Sequence, residues 1–183
     1  MKFIIEKEIF EKLPKACFGV VMAKGIDNSK AYPKIEQLLD ESIKTAAQRF
    51  ADKKVKDEPD ILPYREAFRT LGINPNKYLC SIEALFTRIA KGKGMLHINP
   101  VVDLGNAMSL KYTLPMGAHD LSGCSEDICI RLAQPDDTFL PFGGKANTGK
   151  SLLRQQIFSS RLTDLRTLTV TGLFLHEMNC KHT

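Results

Sequence analysis

Asn99-Pro100-Val101-Val102-Asp103-Leu104-Gly105-Asn106, followed after eight residues by Pro115-Met116-Gly117-Ala118-His119-Asp120, is the stretch on which the reading of this chain turns. Asn99 is a good N-cap, since its side-chain oxygen can accept one of the backbone N–H groups a helix leaves unpaired at its start. Pro100 then stands at the first helical position, where the missing N–H costs nothing. Val101, Val102, Leu104 and Met108 carry the helix to about Tyr112. Asp103 and Asn106 lie three apart on one face of it, turned toward the strand or loop at Pro115–Asp120, an arrangement that packing alone does not demand. Two readings stay open. Asn106 floors a concave pocket whose opposite wall is Pro115–Asp120, or Asn99 caps, Asp103 faces the helix N-terminus and Asn106 anchors a loop.

Toward the N-terminus, Lys2–Ile5 reads as a short strand and Ala16–Ala23 as a buried central strand, because its apolar run is continuous. Ile35, Leu38, Leu39, Ile43, Ala46, Ala47 and Phe50 recur at three- and four-residue steps behind Pro33, which predicts an amphipathic helix between Tyr32 and Asp52. The charged stretch Lys53–Asp60 reads as an exposed connection. Pro63 opens a helix with Tyr64, Ala67, Phe68 and Leu71 inward and Gly72 at its end. A further helix runs from about Lys77 to Lys91 with Leu79, Ile82, Leu85 and Ile89 inward, closed by Gly92. Lys91-Gly92-Lys93-Gly94 is a short basic loop, read as a solvated turn or as a contact for a phosphate.

Toward the C-terminus the period changes from helical to alternating. Ile128, Ile130 and Leu132 alternate with Cys129, Arg131 and Ala133, Gln134-Pro135-Asp136-Asp137 supplies turn chemistry, and Thr138–Phe142 returns, which predicts a β-hairpin. Strands and helices in this order suit a single α+β domain with a mixed sheet, several short helices and a C-terminal hairpin better than a doubly wound parallel sheet. After Gly144 acids nearly vanish and periodicity fades until Leu168–Leu175, another strand candidate. Residues 1–144 are thus expected to form the domain, and 145–183 a divergent or incomplete C-terminal segment, less well packed than the body.

The 183 residues, 43% hydrophobic and 26% charged, can bury a real core. No apolar run approaches a membrane span or a signal-peptide core, so a cytoplasmic protein is expected, with no membrane partner. Most of the net charge of +5 falls in the last 39 residues, where six basic residues face two acids, while the first 144 hold 20 basic and 19 acidic residues. The body therefore shows no broad footprint for a phosphate backbone. Five cysteines (17, 80, 124, 129, 180) without a Cys-x-x-Cys, and four scattered histidines (97, 119, 176, 182), indicate neither a disulfide framework nor a metal site. No cofactor is expected.

Gly144-Lys145-Ala146-Asn147-Thr148-Gly149-Lys150-Ser151 fits the phosphate-loop pattern, in which backbone N–H groups cradle phosphates, Lys150 reaches the terminal ones and Ser151 holds Mg²⁺. Pro141 in the preceding strand and the short remainder of the chain argue against it. His119 and Asp120 beside Ser109 do not make a triad either, since strand neighbours point to opposite faces.

Tyr64-Arg65-x-x-Phe68-x-x-x-Gly72-Ile73-Asn74-Pro75, Ser81-Ile82-Glu83-Ala84-Leu85, Lys91-Gly92-Lys93-Gly94, the Asn99–Leu110 helix, Pro115-x-Gly117-Ala118-x-Asp120 and the run to Gly143-Gly144 together resemble stand-alone proteins built on the B3/B4 domain, known from the β subunit of phenylalanyl-tRNA synthetase. The resemblance covers residues 60–144 closely and 1–59 loosely. It implies an α+β fold and a partner that is tRNA or aminoacyl-tRNA, since in the synthetase this domain carries the pocket that hydrolyses mischarged tyrosine from its tRNA. It makes Asp103, Asn106, Met116, Gly117 and His119 the candidate substrate-binding residues. A hydrolytic version would hold a water between Asn106, Asp103 and His119 without a covalent nucleophile. This chain departs where the synthetase reads Pro-Met-His-Ala-Phe-Asp, since Gly117 occupies the editing histidine's position. The resemblance assigns no catalytic residue here. The alternatives are a nucleotide-binding enzyme using Gly144–Ser151 and a small-molecule binding module.

Overall fold

The computed structural model describes residues 2–121 and 127–132, together with four strands of the C-terminal part given by their backbone: Thr138–Phe139, Lys150–Ser151, Ile157–Phe158 and Thr167–Phe174. In chain order the elements are β1 (Phe3–Ile5), α1 (Lys7–Lys12), β2 (Cys17–Lys24), α2 (Pro33–Arg49), α3 (Leu62–Thr70), α4 (Ser81–Ala90), α5 (Pro100–Tyr112), β3 (Met116–Asp120), β4 (Ile128–Leu132), β5 (Thr138–Phe139), β6 (Lys150–Ser151), β7 (Ile157–Phe158) and β8 (Thr167–Phe174). The architecture is α+β.

The helices meet in one core. Leu39, Ala46 and Phe50 from α2 and its end, Tyr64 from α3, Ile82, Phe86 and Ile89 from α4, and Ala107 and Leu110 from α5 are all buried together. Phe50 and Phe86 pack with ring centroids 4.7 Å apart and tilted by 47°. Each fully buried side chain of this size contributes about 1.5–3 kcal/mol. A smaller cluster of Leu13, Ala16, Ala67 and Leu71, with Phe18, Ile73 and Leu132 against it, joins the N-terminal elements to α3 and β4.

The strands form two three-stranded sheets and a short pair. β4 lies between β1, which runs parallel to it, and β7, which runs antiparallel. β8 lies between β2 and β3, antiparallel to both, with Val170 opposite Val21 on one side and Ala118 on the other. The sequence expectation of a strand at 168–175 is met within a residue at each end. Its central position in the sheet follows only from tertiary pairing.

Three expectations are corrected. The Ile128–Leu132 and Thr138–Phe139 strands both form, but β4 pairs with β1 and β7 while β5 pairs with β6, so they do not make a hairpin. Alternation marks a strand without naming its neighbour, and the parallel edge of β1, fastened by Glu6 N–H to the Ile130 carbonyl and Ile128 N–H to the Lys2 carbonyl, takes β4. β2 forms where its apolar run predicts, yet it is no buried central strand: among the described residues it pairs only with β8, and Val21 and Met22 remain 63% and 62% exposed. The helix expected from Lys77 begins at Ser81 instead. Asn74 collects the Tyr78 N–H on its carbonyl and the Asn76 N–H on its side chain, and Cys80 is extended, so a separate turn precedes α4 and leaves Leu79 half exposed.

Candidate functional site

Helix α5 carries the site, and its N-terminus is closed by the protein's own side chains. Asn99 Oδ1 accepts the Val102 N–H at 3.0 Å, as expected of an N-cap, and Asn28, from the loop before α2, accepts the Val101 N–H at 3.1 Å. The Asp103 N–H donates to the Asn99 carbonyl. With these first donors taken, the helix start is not an anion site. Asp103 is buried and both its oxygens are engaged: Oδ1 accepts the Ile98 N–H at 3.0 Å, and Oδ2 lies 3.0 Å from His97 Nδ1. His97 Nε2 lies 3.3 Å from Asp40 of α2, so the ring bridges two carboxylates. The Asp103 hydrogen bond, reinforced by Asp40, raises the His97 pKa above its ordinary value.

A cavity of about 260 Å³ opens at this end of α5, between residues 28–36 and residues 97–103. Tyr32, Ile35, Glu36, His97, Ile98 and Asp103 are among its lining residues. Asp103 is the one sequence-predicted site residue that lines it. Asn106 lies one helical turn further on, half-buried and without a hydrogen-bond partner among the described residues. β3, which packs against α5, carries Met116, Gly117 and His119; His119 is buried, Gly117 is exposed, and strand alternation sets Met116 on the opposite face from both. The cavity therefore gathers Asp103 with His97 and Tyr32, residues that sequence reasoning passed over, and leaves Asn106, Met116, Gly117 and His119 outside its lining.

A second group that the sequence did not single out lies between α3 and α4. The Arg65 guanidinium, buried, meets Glu83 Oε1 and donates to the Pro75 carbonyl and the Asn76 side chain. It fixes the turn before α4 to α3. Arg65 and Glu83 belong to the very motifs that carry the family resemblance, Tyr64-Arg65 and Ser81-Ile82-Glu83, so part of that signature is a buried ion pair rather than a binding surface.

The family model for the B3/4 domain matches residues 63–154, half of the chain, and runs from α3 through β6. The chain belongs to the B3/4 domain family. No curated protein and no solved structure matches it significantly. Of the two helices packed along α5, α4 lies within the B3/4 match and α2 outside it, and likewise the 97–103 wall of the cavity lies within the match and the 28–36 wall outside it. Among the described residues no group of three metal-ligating side chains comes together, and no helix is long and apolar enough to cross a membrane. Most of the phosphate-loop pattern, Gly144–Gly149, lies outside the described residues. Its last two residues, Lys150 and Ser151, pair as strand β6 with β5, which is not the first helical turn into which a phosphate loop leads.

Proposed function

We propose that this chain is an RNA-binding protein of the B3/B4 type whose partner is tRNA or an aminoacylated tRNA end. The observation that carries the reading is the B3/4 match across α3, α4, α5, β3 and β4, a domain associated with tRNA in synthetases. Hydrolysis of mischarged aminoacyl-tRNA in trans would draw on Asn106, since Asp103 has both oxygens committed and residue 117 has no side chain to offer. Asn106 is the residue best suited to a ligand, being at hand without a partner of its own.

Two measurements test this. Titration of the protein with tRNA at increasing salt should give an affinity that falls steeply with salt, whereas a buried small-molecule ligand gives a shallow slope. Asn106→Ala should weaken binding of an aminoacyl-adenosine mimic by about 1–3 kcal/mol while leaving stability unchanged, the usual cost of one hydrogen bond lost at a desolvated site. Absence of tRNA binding at low salt would refute the reading. Release of amino acid from a panel of mischarged tRNAs decides whether hydrolysis accompanies binding.

A further inference from the structure

Two hydrogen bonds among the described residues tie the two walls of the α5 cavity together, and only one of them answers to a proton. Asn28 accepts the Val101 N–H at 3.1 Å whatever the pH. The other tie runs from His97, on the 97–103 wall, to Asp40 of α2, with Nε2 3.3 Å from Oδ1. The ring of His97 lines the cavity, and its Nδ1 lies 3.0 Å from Asp103 Oδ2. An ionised carboxylate only accepts, so both contacts are hydrogen bonds only when both ring nitrogens carry protons. A neutral ring keeps one N–H and turns a lone pair toward the other carboxylate, where the contact becomes repulsive.

The two carboxylates are not equivalent. The Asp103 side chain is 4% exposed and that of Asp40 is 69% exposed. Stranding an oxygen of the buried carboxylate costs its full desolvation penalty, whereas Asp40 turns to water. Asp103 is also held in place by the Ile98 N–H on its second oxygen. A neutral ring therefore keeps its proton on Nδ1, facing Asp103, and releases Asp40. Nε2 is then a bare acceptor at the rim of the cavity.

The other charged groups around the ring do not reverse this order. Glu36, one turn before Asp40 on α2 and in the cavity lining, adds a further carboxylate that favours the cation, and Lys44, one turn beyond Asp40, is exposed. Lys30 also lines the cavity, but its ammonium lies 3.0 Å from Asp27. Ser29 and Lys30 hold the Asp27 carboxyl down at about 2, and Asp27 raises Lys30 in return, so that pair stays charged through the neutral range. The Tyr32 hydroxyl donates to the Asp27 carbonyl. On the side of α4, Arg88 is taken by the Gly94 carbonyl and Lys93 is exposed. Asp103 first and Asp40 second raise the His97 pKa, so the cation persists above the ordinary value of about 6.5 and the tie opens as pH rises through the higher folded value.

We propose that His97 is a proton-operated bar across the rim of this cavity: as imidazolium it ties the 97–103 wall to α2, and as a neutral Nδ1–H ring, held by Asp103, it lets go of Asp40 and opens the gap between the walls. Leu39 and Ala46 of α2 stay packed with Ala107 and Leu110 of α5 in the core, so the change is confined to side chains at the rim. The bar works in the same way whether or not RNA is the partner.

The test is NMR of the full chain across a pH series that brackets the His97 midpoint. The ring nitrogens of His97 report its tautomer, and a neutral paramagnetic probe reports solvent access to Ile35, half-buried in the cavity lining. In the parent the neutral ring should be the Nδ1–H tautomer, and probe relaxation at Ile35 should rise through the His97 midpoint. Asp40 is exposed on α2, so its replacement leaves the core intact. Asp40→Ala should keep the Nδ1–H tautomer, lower the midpoint and give high access at every pH. Asp40→Asn, whose amide can donate to the bare Nε2, should hold the gap closed above the midpoint. His97→Gln should make access independent of pH. The proposal is overturned if the neutral parent ring carries its proton on Nε2, if access at Ile35 ignores the His97 midpoint, or if Asp40→Ala keeps the parent's pH-dependent access.

Discussion

The two ends of α5 are fastened by opposite means. At the N-terminus the fastening is mostly local: Asn99 caps its own helix, and Asp103 reaches back to His97 and Ile98, with Asn28 as a distant addition. At the C-terminus it comes from far along the chain. Thr113 sits in the left-handed region at φ 56°, its carbonyl accepts the Tyr64 hydroxyl at 3.1 Å and its hydroxyl accepts Arg49 Nη1 at 3.0 Å. The same guanidinium bonds Glu58 and Asp60 and lies over the Phe50 and Phe86 rings. One end is written in adjacent letters, and the other exists only once α2, α3 and the 58–60 loop have assembled around it.

If that contrast is right, Arg49→Ala should be the most damaging single change at either end, costing about 2–4 kcal/mol in urea unfolding, since it removes a hydrogen bond, an ion-pair group and a cation–π contact at once. Asp103→Ala should cost less, about 1–2 kcal/mol by the same measurement, through the part-buried Ile98 N–H it leaves without its acceptor. A loss at Asp103 larger than at Arg49 would reverse the order of the two ends. Asn99→Ala should cost about 1 kcal/mol, the ordinary value of an N-cap.

Thr113 sharpens the comparison. In the Arg49→Ala background its hydroxyl has lost its donor, so Thr113→Gly should recover about 1 kcal/mol, the relief of a branched residue from left-handed geometry. In the parent the same substitution should change stability by less than about 0.5 kcal/mol, because the lost hydrogen bond offsets the relief. Equal effects in the two backgrounds would show that Arg49 does not hold Thr113 in place.

The smallest effect is at the other end and depends on pH. His97 is raised by Asp103 first and Asp40 second, so its protonated form is favoured in the folded chain. Its contribution to stability is therefore complete below the ordinary histidine pKa of about 6.5 and is lost as pH rises through the higher folded value. A proton NMR titration should place the His97 midpoint above the ordinary histidine value of about 6.5, and Asp103→Asn should bring it down. A midpoint that ignores Asp103 would mean the pair is not formed in solution.

Much of this was legible in the residue order. The helix behind Pro33, the Pro63 start, the Gly72 and Gly92 stops and the Asn99-Pro100 start all stand where their local chemistry sets them, because capping and φ preferences act within a few residues. Asp103 was singled out for its place one turn inside α5. His97 was not, since nothing in Met-Leu-His-Ile says that a carboxylate from α2 and one from α5 will meet at its ring. The buried Arg65–Glu83 pair was equally hidden: each is an unremarkable charged residue on its own helix, and only the packing of α3 on α4 puts them face to face.

By itself, then, the sequence determined the element types, most of their boundaries, the N-terminal closure of α5 and membership of the B3/4 family, all of which rest on short-range stereochemistry or on residue order. Only the tertiary structure decided that β4 joins β1 rather than β5, that β8 runs between β2 and β3, that β2 keeps Val21 and Met22 exposed, and that a cavity opens at the N-terminal end of α5. A strand's alternating pattern fixes which side chains share a face but leaves both of its edges free to pair, and a cavity is the space left between elements, so each is settled by which distant partner arrives.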